Sequence, residues 1–344
     1  MQIRSRAPLR IGLAGGGTDL LAYSNVYGGA VFNTTIGMYA YCTIVPTDDN
    51  RIKIVAYDNH HSLDCESVSR FDIVDDNLIL HKGVYNRIVK DFNGGKPLSF
   101  MMSTSNDAPV GSGLGTSSTM VVAILECYNR WLNLGLNDYE KAILAYDIER
   151  NDLKLAGGKQ DQYSAVFGGF NLMEFKQDGS TVVNTLRLDE SVIDELECSL
   201  LLYYGGVSRS SASIISEQIK NTTKKNEKTI DAMHKLKDNA YKMKDAIITG
   251  RINDFAEILR DTWENKKKTS SIISNVELEK TINFAMQNGA EAVKVSGAGG
   301  GGFLMFYCNP TNRQKLIDSL NSFGGIVYPV KFTKLGANSW IVRG

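Results

Sequence analysis

Apolar residues in the first part of the chain occur in short runs separated by turn residues, a pattern typical of β-strands. Strands are predicted over residues 9–14, 30–36, 39–46, 52–57 and 98–103. Asp48, Asp49 and Asn50 lie between the third and fourth of these strands, and residues of this kind favour a tight turn. The strands 39–46 and 52–57 are therefore expected to form a hairpin.

Elsewhere the apolar spacing is helical. Leu80, Val84, Ile88 and Phe92 recur every four residues, so they would share one face of a helix over 78–92. The other helices predicted in this way are 116–132, 138–151, 276–287 and 312–323, together with a helical stretch over 210–271 that is broken near Gly250.

The second half of the chain also contains strand patterns. Strands are predicted over 169–175, 181–188, 197–203, 292–295, 303–308 and 326–332, and the first two are expected to form a hairpin. This mixture of strands and helices predicts an α+β fold. A chain of 344 residues exceeds the usual size of one domain, and the pattern changes near 190–200, so two domains are predicted, 1–195 and 196–344.

The composition excludes several classes of protein. Hydrophobic residues make up 43% of the chain, and 38 Lys and Arg balance 38 Asp and Glu. Binding of nucleic acid through bulk charge needs a basic excess, so no nucleic-acid partner is expected. No run reaches the roughly 18 apolar residues of a membrane span, and the N-terminus lacks a secretory signal pattern. A cytoplasmic protein without a membrane partner is therefore predicted.

Cysteine and glycine usage narrow the chemistry further. The five cysteines are scattered and never spaced as Cys-x-x-Cys, which argues against a disulfide framework and a zinc site. Glycine, with 32 residues in 344, exceeds its average share of about 7%. Some part of the chain therefore needs residues without a side chain.

The most informative glycine segment is 109–119, Pro-Val-Gly-Ser-Gly-Leu-Gly-Thr-Ser-Ser-Thr. Alternate glycines let several backbone N–H groups turn inward together, and the predicted helix that follows adds its free N–H groups and the positive end of its dipole. The first turn of that helix has four neutral hydroxyl residues, and its first acid is Glu126. This arrangement suits a polyphosphate that carries a magnesium ion.

A tight turn with a Ser or Thr N-cap is the alternative explanation, but three alternating glycines followed by four hydroxyls favour phosphate binding. The segment also differs from two better-known phosphate motifs. Gly158-Lys159 is followed by Gln160 where a Walker A loop needs Ser or Thr. Thr116 stands where a Rossmann fingerprint needs glycine.

Two further glycine segments support a ligand site. Residues 10–19, Arg-Ile-Gly-Leu-Ala-Gly-Gly-Gly-Thr-Asp, end a strand in three glycines and a carboxylate. Residues 294–302, Lys-Val-Ser-Gly-Ala-Gly-Gly-Gly-Gly, join two apolar strands, although a hairpin turn needs only two residues. So many glycines lose considerable chain entropy on folding. Close approach to a ligand or to the 109–119 segment explains them better than a plain turn.

These three segments, in this order, resemble the motifs of the GHMP kinases, the family of galactokinase, homoserine kinase, mevalonate kinase and phosphomevalonate kinase. Gly-Gly-Gly-Thr-Asp at 15–19, Gly-Gly-Lys-Gln-Asp-Gln-Tyr at 157–163 and the glycines at 299–302 are similar to the sugar-kinase branch. The resemblance covers nearly the whole chain. It implies a two-domain α+β fold, with an N-terminal domain like domain 2 of ribosomal protein S5 and a ferredoxin-like C-terminal domain, and with the substrates meeting between them.

The resemblance also implies roles for charged residues. Asp161, in the Gly-x-x-Asp-Gln motif, is implied as the catalytic base, and Arg10 as the cation that keeps it ionised and offsets charge on the transferring phosphoryl group. Glu149 and Ser117 are implied as Mg²⁺ ligands, since phosphates and water would complete the octahedron. Without the family motif, Asp161 and Glu149 could be explained as surface carboxylates.

Binding of both substrates follows from the same resemblance. ATP is implied to bind Pro109, Gly111, Ser112, Gly113, Leu114, Gly115, Thr116, Ser117 and Ser118. The acceptor is implied to bind Gly17, Thr18, Asp19, Gly299 and Gly300. A phosphate already on the acceptor needs a cation, and Arg209 and Lys266 are equal candidates because both side chains suit phosphate.

The resemblance implies an ATP- and Mg²⁺-dependent kinase that phosphorylates the anomeric hydroxyl of D-glycero-D-manno-heptose 7-phosphate. The 1,7-bisphosphate would serve nucleotide-activated heptose and surface polysaccharide. Two alternatives stay open: a kinase of an unphosphorylated hexose such as fucose or galactose, and a sugar- and ATP-sensing regulator on a kinase scaffold. The joint presence of Asp161, Arg10, Glu149 and Ser117 argues against the regulator. A homodimer is left open.

Overall fold

The structure, a computed structural model, describes residues 1–73, 77–206 and 211–343, which form one sheet of eight strands and one of four. The strands are β1 (Gln2–Ala14), β2 (Gly29–Pro46), β3 (Arg51–Ala56), β4 (His61–Glu66), β5 (Phe100–Asn106), β6 (Phe170–Phe175), β7 (Thr181–Leu186), β8 (Leu200–Tyr204), β9 (Ala290–Val295), β10 (Phe303–Cys308), β11 (Ile326–Pro329) and β12 (Asn338–Val342). The helices are α1 (Leu21–Tyr27), α2 (Ile79–Phe92), α3 (Thr116–Trp131), α4 (Asp138–Asp147), α5 (Gln160–Phe167), α6 (Glu190–Ser199), α7 (Ser211–Thr223), α8 (Glu227–Ile248), α9 (Asn253–Lys267), α10 (Val276–Gln287) and α11 (Arg313–Ser322).

The long strand β2 organises the first sheet, whose order is β12-β1-β2-β5-β3-β4, with β6 and β7 branching from β2. β2 pairs with β1 on one side, and on the other with β6 through residues 29–34 and with β5 through residues 40–46. The hairpin predicted between 39–46 and 52–57 is wrong, because β5 lies between β2 and β3 and pairs with both. The predicted hairpin of β6 and β7 is confirmed.

β1 pairs irregularly with β2 near its C-terminal end. The register shifts between Pro8 and Arg10 and again between Gly12 and Ala14. Irregularities of this kind bend a strand and change the direction of its side chains. They bracket the part of β1 that carries Arg10.

In the second sheet, in the order β11-β8-β10-β9, the central strands β8 and β10 are buried on both faces. Successive residues of a strand point to opposite faces, so each face has its own apolar neighbours. Leu200 and Leu202 of β8 belong to one apolar cluster with Leu9 and Ile11 of β1. Leu201 belongs to a different cluster, with side chains of α10 and α11. The two sheets are therefore joined by a continuous buried core.

The C-terminal strand β12 returns to the first sheet and pairs antiparallel with residues 2–6 of β1. The segment before it packs on α5, where the Ala337 N–H donates to the Ala165 carbonyl (2.8 Å). A Cβ added to Gly336 would lie 1.8 Å from the Val166 carbonyl oxygen. The division into domains 1–195 and 196–344 stays a prediction, and β12 lies in the sheet of the first of these domains.

One predicted helix and one predicted strand have different bounds in the structure. The helix predicted over 138–151 is α-helical only to Asp147, and Ile148–Asp152 form a π-helical turn, a feature that recurs at functional sites. The strand predicted over 197–203 begins only at Leu200, because α6 continues to Ser199. In the part of the chain that the structure describes, no helix is both long and apolar enough to cross a bilayer.

Candidate active site

A cavity of about 280 Å³ lies where the three glycine segments meet. Its wall includes the start of α3, the start of α5, the π-helical turn after α4, and residues of α7 and α9. The helices α3 and α5 belong with the first sheet, whereas α9 packs on β9 of the second. The cavity is therefore built jointly by the two sheets and their helices.

The segment 109–115 forms a loop of left-handed glycines in front of α3. Gly111, Gly113 and Gly115 have φ of 76°, 79° and 80°, a region that favours glycine. α3 begins at Thr116 with no side-chain cap and no acid in its first turn. Its free N–H groups and the positive end of its dipole are therefore available to an anion in the cavity.

The third glycine segment packs against this loop. A Cβ on Gly113 would lie 2.6 Å from the Ser296 carbonyl oxygen, and one on Gly302 would lie 2.4 Å from the Ser112 carbonyl oxygen. The Ser112 carbonyl also accepts a hydrogen bond from the Phe303 N–H (2.9 Å). Glycine is needed in both segments because their backbones are in contact.

Arg10 and Asp161 form an ion pair in the cavity. Arg10 Nε and Nη2 lie 2.8 and 2.7 Å from Asp161 Oδ1, and Nη1 donates to the Gly113 carbonyl (2.6 Å). The side chain of Arg10 is 4% exposed and that of Asp161 is 23% exposed, so the carboxylate still reaches the open space. The pairing expected from the sequence is present, and it connects β1, α5 and the glycine loop.

Glu149 lies in the π-helical turn and is buried. The Gln162 amide donates to its carboxylate and to Ser118 Oγ (3.1 Å), and Arg150 Nη1 lies 3.6 Å from Glu149 Oε1. Burial raises the pKa of the Glu149 carboxyl above its ordinary value, although Arg150, Ser118 and Gln162 oppose the rise. The Ser118 hydroxyl hydrogen-bonds to Glu149, whereas Ser117 is exposed on the cavity wall.

These residues fit a magnesium ion that arrives with phosphates better than one held by protein alone. Among the described residues, no group of three or more His, Cys, Asp or Glu side chains is placed to hold a metal. Mg²⁺ usually keeps several waters and takes one or two protein carboxylates together with substrate phosphates. One buried carboxylate beside the hydroxyls of α3 is a donor set of that kind.

Asp19 is buried and held by three donors. Its Oδ1 accepts from the Gly17 N–H (3.0 Å) and from Gln160 Nε2 (3.2 Å), and its Oδ2 accepts from the Gln160 N–H (3.2 Å). A Cβ on Gly158 would lie 1.9 Å from Oδ2, so glycine is required for the carboxylate to occupy this position. Thr18 is buried, and its Oγ1 lies 2.8 Å from the carbonyl oxygens of both Gly15 and Ala30, either of which can accept its one hydroxyl hydrogen.

Two lysines are buried near the ion pair. Lys266 of α9 lines the cavity and donates to the Gly16 carbonyl (3.0 Å), and burial lowers its pKa to about 8. Lys294 of β9 donates to the Gly12 carbonyl (2.8 Å). Burial, with repulsion from Lys266 and Arg10, lowers the pKa of Lys294 to about 7.

Most of the site residues expected from the sequence lie together. Those that line the cavity are Arg10, Gly17, Asp19, Gly111, Gly113, Gly115, Thr116, Ser117, Ser118, Glu149, Asp161 and Lys266. Those outside its lining are Thr18, Pro109, Ser112, Leu114, Gly299 and Gly300. The Gly300 N–H donates to the Ile273 carbonyl (2.7 Å), so the third segment reaches the cavity through Gly297 and Ala298 instead. Arg209 lies outside the described residues.

The site residues that were not expected from the sequence include Gly158, Gln160 and Lys294. The first two lie inside the 157–163 motif, where only the aspartate was given a role. Lys294 is a charged residue in an otherwise apolar part of a strand. Because a buried charge needs polar partners, its presence in the sequence was a signal of a buried polar contact.

A second cavity, of about 450 Å³, adjoins the first and shares Thr116, Ser117 and Leu155 with it. Asp58 and Asn106 also line it, and Asn106 Nδ2 donates to Asp58 Oδ2 (2.9 Å). Oδ1 of each of these two residues is buried without a hydrogen-bond partner among the described residues. Buried acceptors of this kind suit a ligand that brings its own donors.

Comparison with known proteins identifies the family. The family model "GHMP kinases N terminal domain" matches residues 77–169, and the model "GHMP kinases C terminal" matches residues 243–326. D-glycero-alpha-D-manno-heptose 7-phosphate kinase of Campylobacter jejuni is 45% identical over 338 residues, which are 98% of this chain and 98% of that protein.

Comparison with solved structures indicates the same family and fold. A D-glycero-D-manno-heptose 1-phosphate kinase from Bacteroides thetaiotaomicron superposes with a TM-score of 0.86 at 45% identity, over 99% of this chain and 100% of the other. Lactococcus lactis galactokinase complexed with galactose, at 15% identity, shares the fold with a TM-score of 0.76, over 98% of this chain and 95% of the other. The two-domain fold that the resemblance implied is thereby confirmed, and the chain belongs to the GHMP kinase family.

Proposed function

We propose that the chain is an ATP- and Mg²⁺-dependent sugar kinase that phosphorylates the anomeric hydroxyl of D-glycero-D-manno-heptose 7-phosphate in the cytoplasm. The observation that carries the proposal is the Arg10–Asp161 ion pair, in one cavity with the open start of α3 and the carboxylate of Asp19. A site for phosphates, a base and a group that can bind sugar hydroxyls then lie within reach of one another.

The triphosphate would lie along the loop 111–115 and the first turn of α3, where backbone N–H groups and hydroxyls are available. The nucleoside would enter the adjoining cavity, where the unpartnered oxygens of Asp58 and Asn106 can accept hydrogen bonds from an amino or hydroxyl group. Glu149, with Ser117 and Ser118, would hold Mg²⁺ on the phosphates. The ion supplies positive charge that stabilises the transferring phosphoryl group.

Asp161 would accept the proton of the anomeric hydroxyl. Both Arg10 contacts go to Oδ1, so Oδ2 is the oxygen available to the acceptor. A positioned base of this kind contributes roughly 10²–10⁴-fold to the rate. Phosphoryl transfer depends mainly on positioning and charge, and the guanidinium of Arg10 serves both by fixing the carboxylate and by adding positive charge.

The acceptor would be held at both ends. The buried carboxylate of Asp19 can accept hydrogen bonds from sugar hydroxyls, while its three protein donors keep it in place. Lys266 supplies a cation on the cavity wall for a phosphate already on the sugar. Arg209 stays the alternative for that role.

The heptose substrate is supported by the names of two relatives, each 45% identical to this chain. The names agree on D-glycero-D-manno-heptose and differ in the phosphate that they specify. We favour the 7-phosphate because it leaves the anomeric hydroxyl free to accept the phosphoryl group.

The test is release of ADP by the purified protein with Mg²⁺ and ATP and, in turn, heptose 7-phosphate, heptose 1-phosphate, fucose and galactose. We expect the highest kcat/KM with heptose 7-phosphate, and a product phosphorylated at C1 by NMR. Preference for fucose or galactose would support a hexose kinase instead. Absence of ADP release with every sugar would favour the sugar- and ATP-sensing regulator.

A further inference from the structure

Lys294 is a buried charge for which the proposed mechanism has no use. Lys294 is 4% exposed, and its Nζ donates to the carbonyls of Gly12 (2.8 Å) and Val295 (3.4 Å). The charged groups that act on it are two cations, Lys266 of α9 and Arg10 of β1, and within the described residues no carboxylate forms an ion pair with it. A buried ammonium without a counter-ion destabilises a folded protein, so its presence calls for an explanation.

The position of Lys294 connects two glycine segments. Gly12 lies two residues after Arg10, between the two register shifts of β1, and Lys294 lies three residues before Gly297 on the cavity wall. A Cβ on Gly12 would lie 3.7 Å from both Lys294 Nζ and Gln160 Oε1. The ammonium therefore packs directly against the stretch of β1 that carries the catalytic ion pair.

Among the described residues, three cations are buried around this end of the cavity: Arg10, Lys266 and Lys294. Arg10 pairs with Asp161 and Lys266 is attracted by Asp19, whereas the charges that act on Lys294 are both positive. Positive charge where water is excluded is unfavourable in the empty protein and favourable once anions enter. Because the pKa of Lys294 is lowered to about 7, phosphates nearby would favour its charged form.

We propose that Lys294 is a positioning residue for phosphoryl transfer: its ammonium fixes the Gly12 carbonyl, and with it the Arg10 end of β1, and its charge adds to the positive potential that receives the phosphates. The inference rests on the proposed function, because the anions that Lys294 would attract are the phosphates that a sugar kinase binds. If Lys294 had no role beyond folding, an apolar residue in its place would make the folded protein more stable.

The test compares three variants with the wild-type protein. Lys294→Met removes both the donor and the charge, Lys294→Gln keeps a donor without the charge, and Lys315→Met, on the exposed side of α11, is the matched control. Melting temperature is measured without ligand and with Mg²⁺-ATP. Turnover is measured with heptose 7-phosphate.

We expect Lys294→Met to melt no lower than the wild type without ligand, to lose at least half of the melting-temperature rise that Mg²⁺-ATP produces, and to lose at least tenfold in kcat. Lys294→Gln should lose a similar part of the ligand-induced rise but less kcat, because it can still donate to Gly12. Lys315→Met should match the wild type throughout.

The proposal is overturned if Lys294→Met shows the wild-type response to ATP and the wild-type kcat, or if it only melts lower while the folded fraction turns over normally. If Lys294→Met does not fold, Lys294→Gln is judged by the same two criteria. Lack of turnover by the wild-type protein with every sugar would defeat the proposed function, and the melting data with ATP would still decide the role of Lys294.

Discussion

Replacing Gly158 with alanine should displace Asp19 without removing any polar group from the cavity. The added Cβ would lie 1.9 Å from Asp19 Oδ2 and 2.4 Å from its Cγ, both well inside van der Waals contact. Gly158 has no left-handed φ, so alanine suits its backbone, and the conflict is with the carboxylate alone. Because Asp19 is short and buried, its side chain must rotate away from its present position.

The size of the expected rise in the KM for the sugar follows from the hydrogen bonds that Asp19 makes. In its present position Asp19 is held by the N–H of Gly17 and by the backbone and side chain of Gln160. A hydrogen bond to a charged group contributes about 1.5–3 kcal/mol, and 1.4 kcal/mol corresponds to a factor of ten in affinity. Loss of one hydrogen bond between the sugar and the carboxylate should therefore raise the KM for the sugar roughly 10- to 150-fold.

The assay is steady-state release of ADP, with the sugar phosphate varied at saturating Mg²⁺-ATP and then with ATP varied at saturating sugar. We expect the KM for ATP to stay within about twofold of the wild type, because Asp19 does not take part in the proposed phosphate site. Gly37→Ala is the matched control, since a Cβ there meets nothing closer than 3.6 Å and Gly37 also lacks a left-handed φ.

A double-mutant comparison with Asp19→Ala, which removes the atoms that the added Cβ would meet, tests this explanation. If Gly158→Ala acts only by moving Asp19, the double variant should have the same sugar KM as Asp19→Ala alone, since two changes at one interaction are not additive. Additive losses would show that Gly158→Ala damages something else. A Gly158→Ala enzyme with the kinetics of Gly37→Ala would show that the position of Asp19 does not matter for the sugar.

Three further predictions concern charged residues of the cavity. Asp161→Asn should lower kcat at least about a hundredfold with ATP affinity nearly intact, and near-normal turnover would remove Asp161 from the base role. Lys266→Met should raise the KM for heptose 7-phosphate at least about tenfold while that for an unphosphorylated sugar stays unchanged; an unchanged KM for heptose 7-phosphate would favour Arg209 as the phosphate ligand. Folding lowers the pKa of Lys294 from 10.5 to about 7, so between these values the unfolded chain binds more protons and the free energy of unfolding rises with pH. From pH 7 to pH 9, the free energy of unfolding measured in urea should increase by about 2 kcal/mol more for the wild type than for Lys294→Met. Equal increases would show that folding does not lower the pKa of Lys294.

Local patterns predicted the elements of the fold better than their pairing. The turn residues 48–50 correctly marked a chain reversal, but a reversal does not determine which strands are neighbours, and β5 arrives later in the chain to separate β2 from β3. In the same way, the five-residue strand β12 has an apolar pattern too short to be recognised by itself. Its place is set by pairing with β1 at the far end of the sequence.

The sequence likewise predicted only some of the residues of the candidate site. The glycine segments could be found because phosphate binding requires particular residue types at fixed spacing, and Asp161 could be found because its motif resembles that of the family. Gly158 and Gln160 could not, because their importance comes from the position of Asp19, about 140 residues earlier in the chain. The π-helical turn that directs Glu149 toward Ser118 also follows no apolar repeat, since its register differs from that of the helix before it.

The pairing of β1 with β12 has a consequence for biosynthesis. β1 emerges from the ribosome before its partner at 338–342, which follows more than 300 residues later. At 5–20 residues per second, the outer side of β1 waits roughly 15–60 s for its neighbour. During that interval an unpaired backbone edge is open to other nascent chains, so cellular yield should depend on translation speed and on chaperones that shield the N-terminal segment.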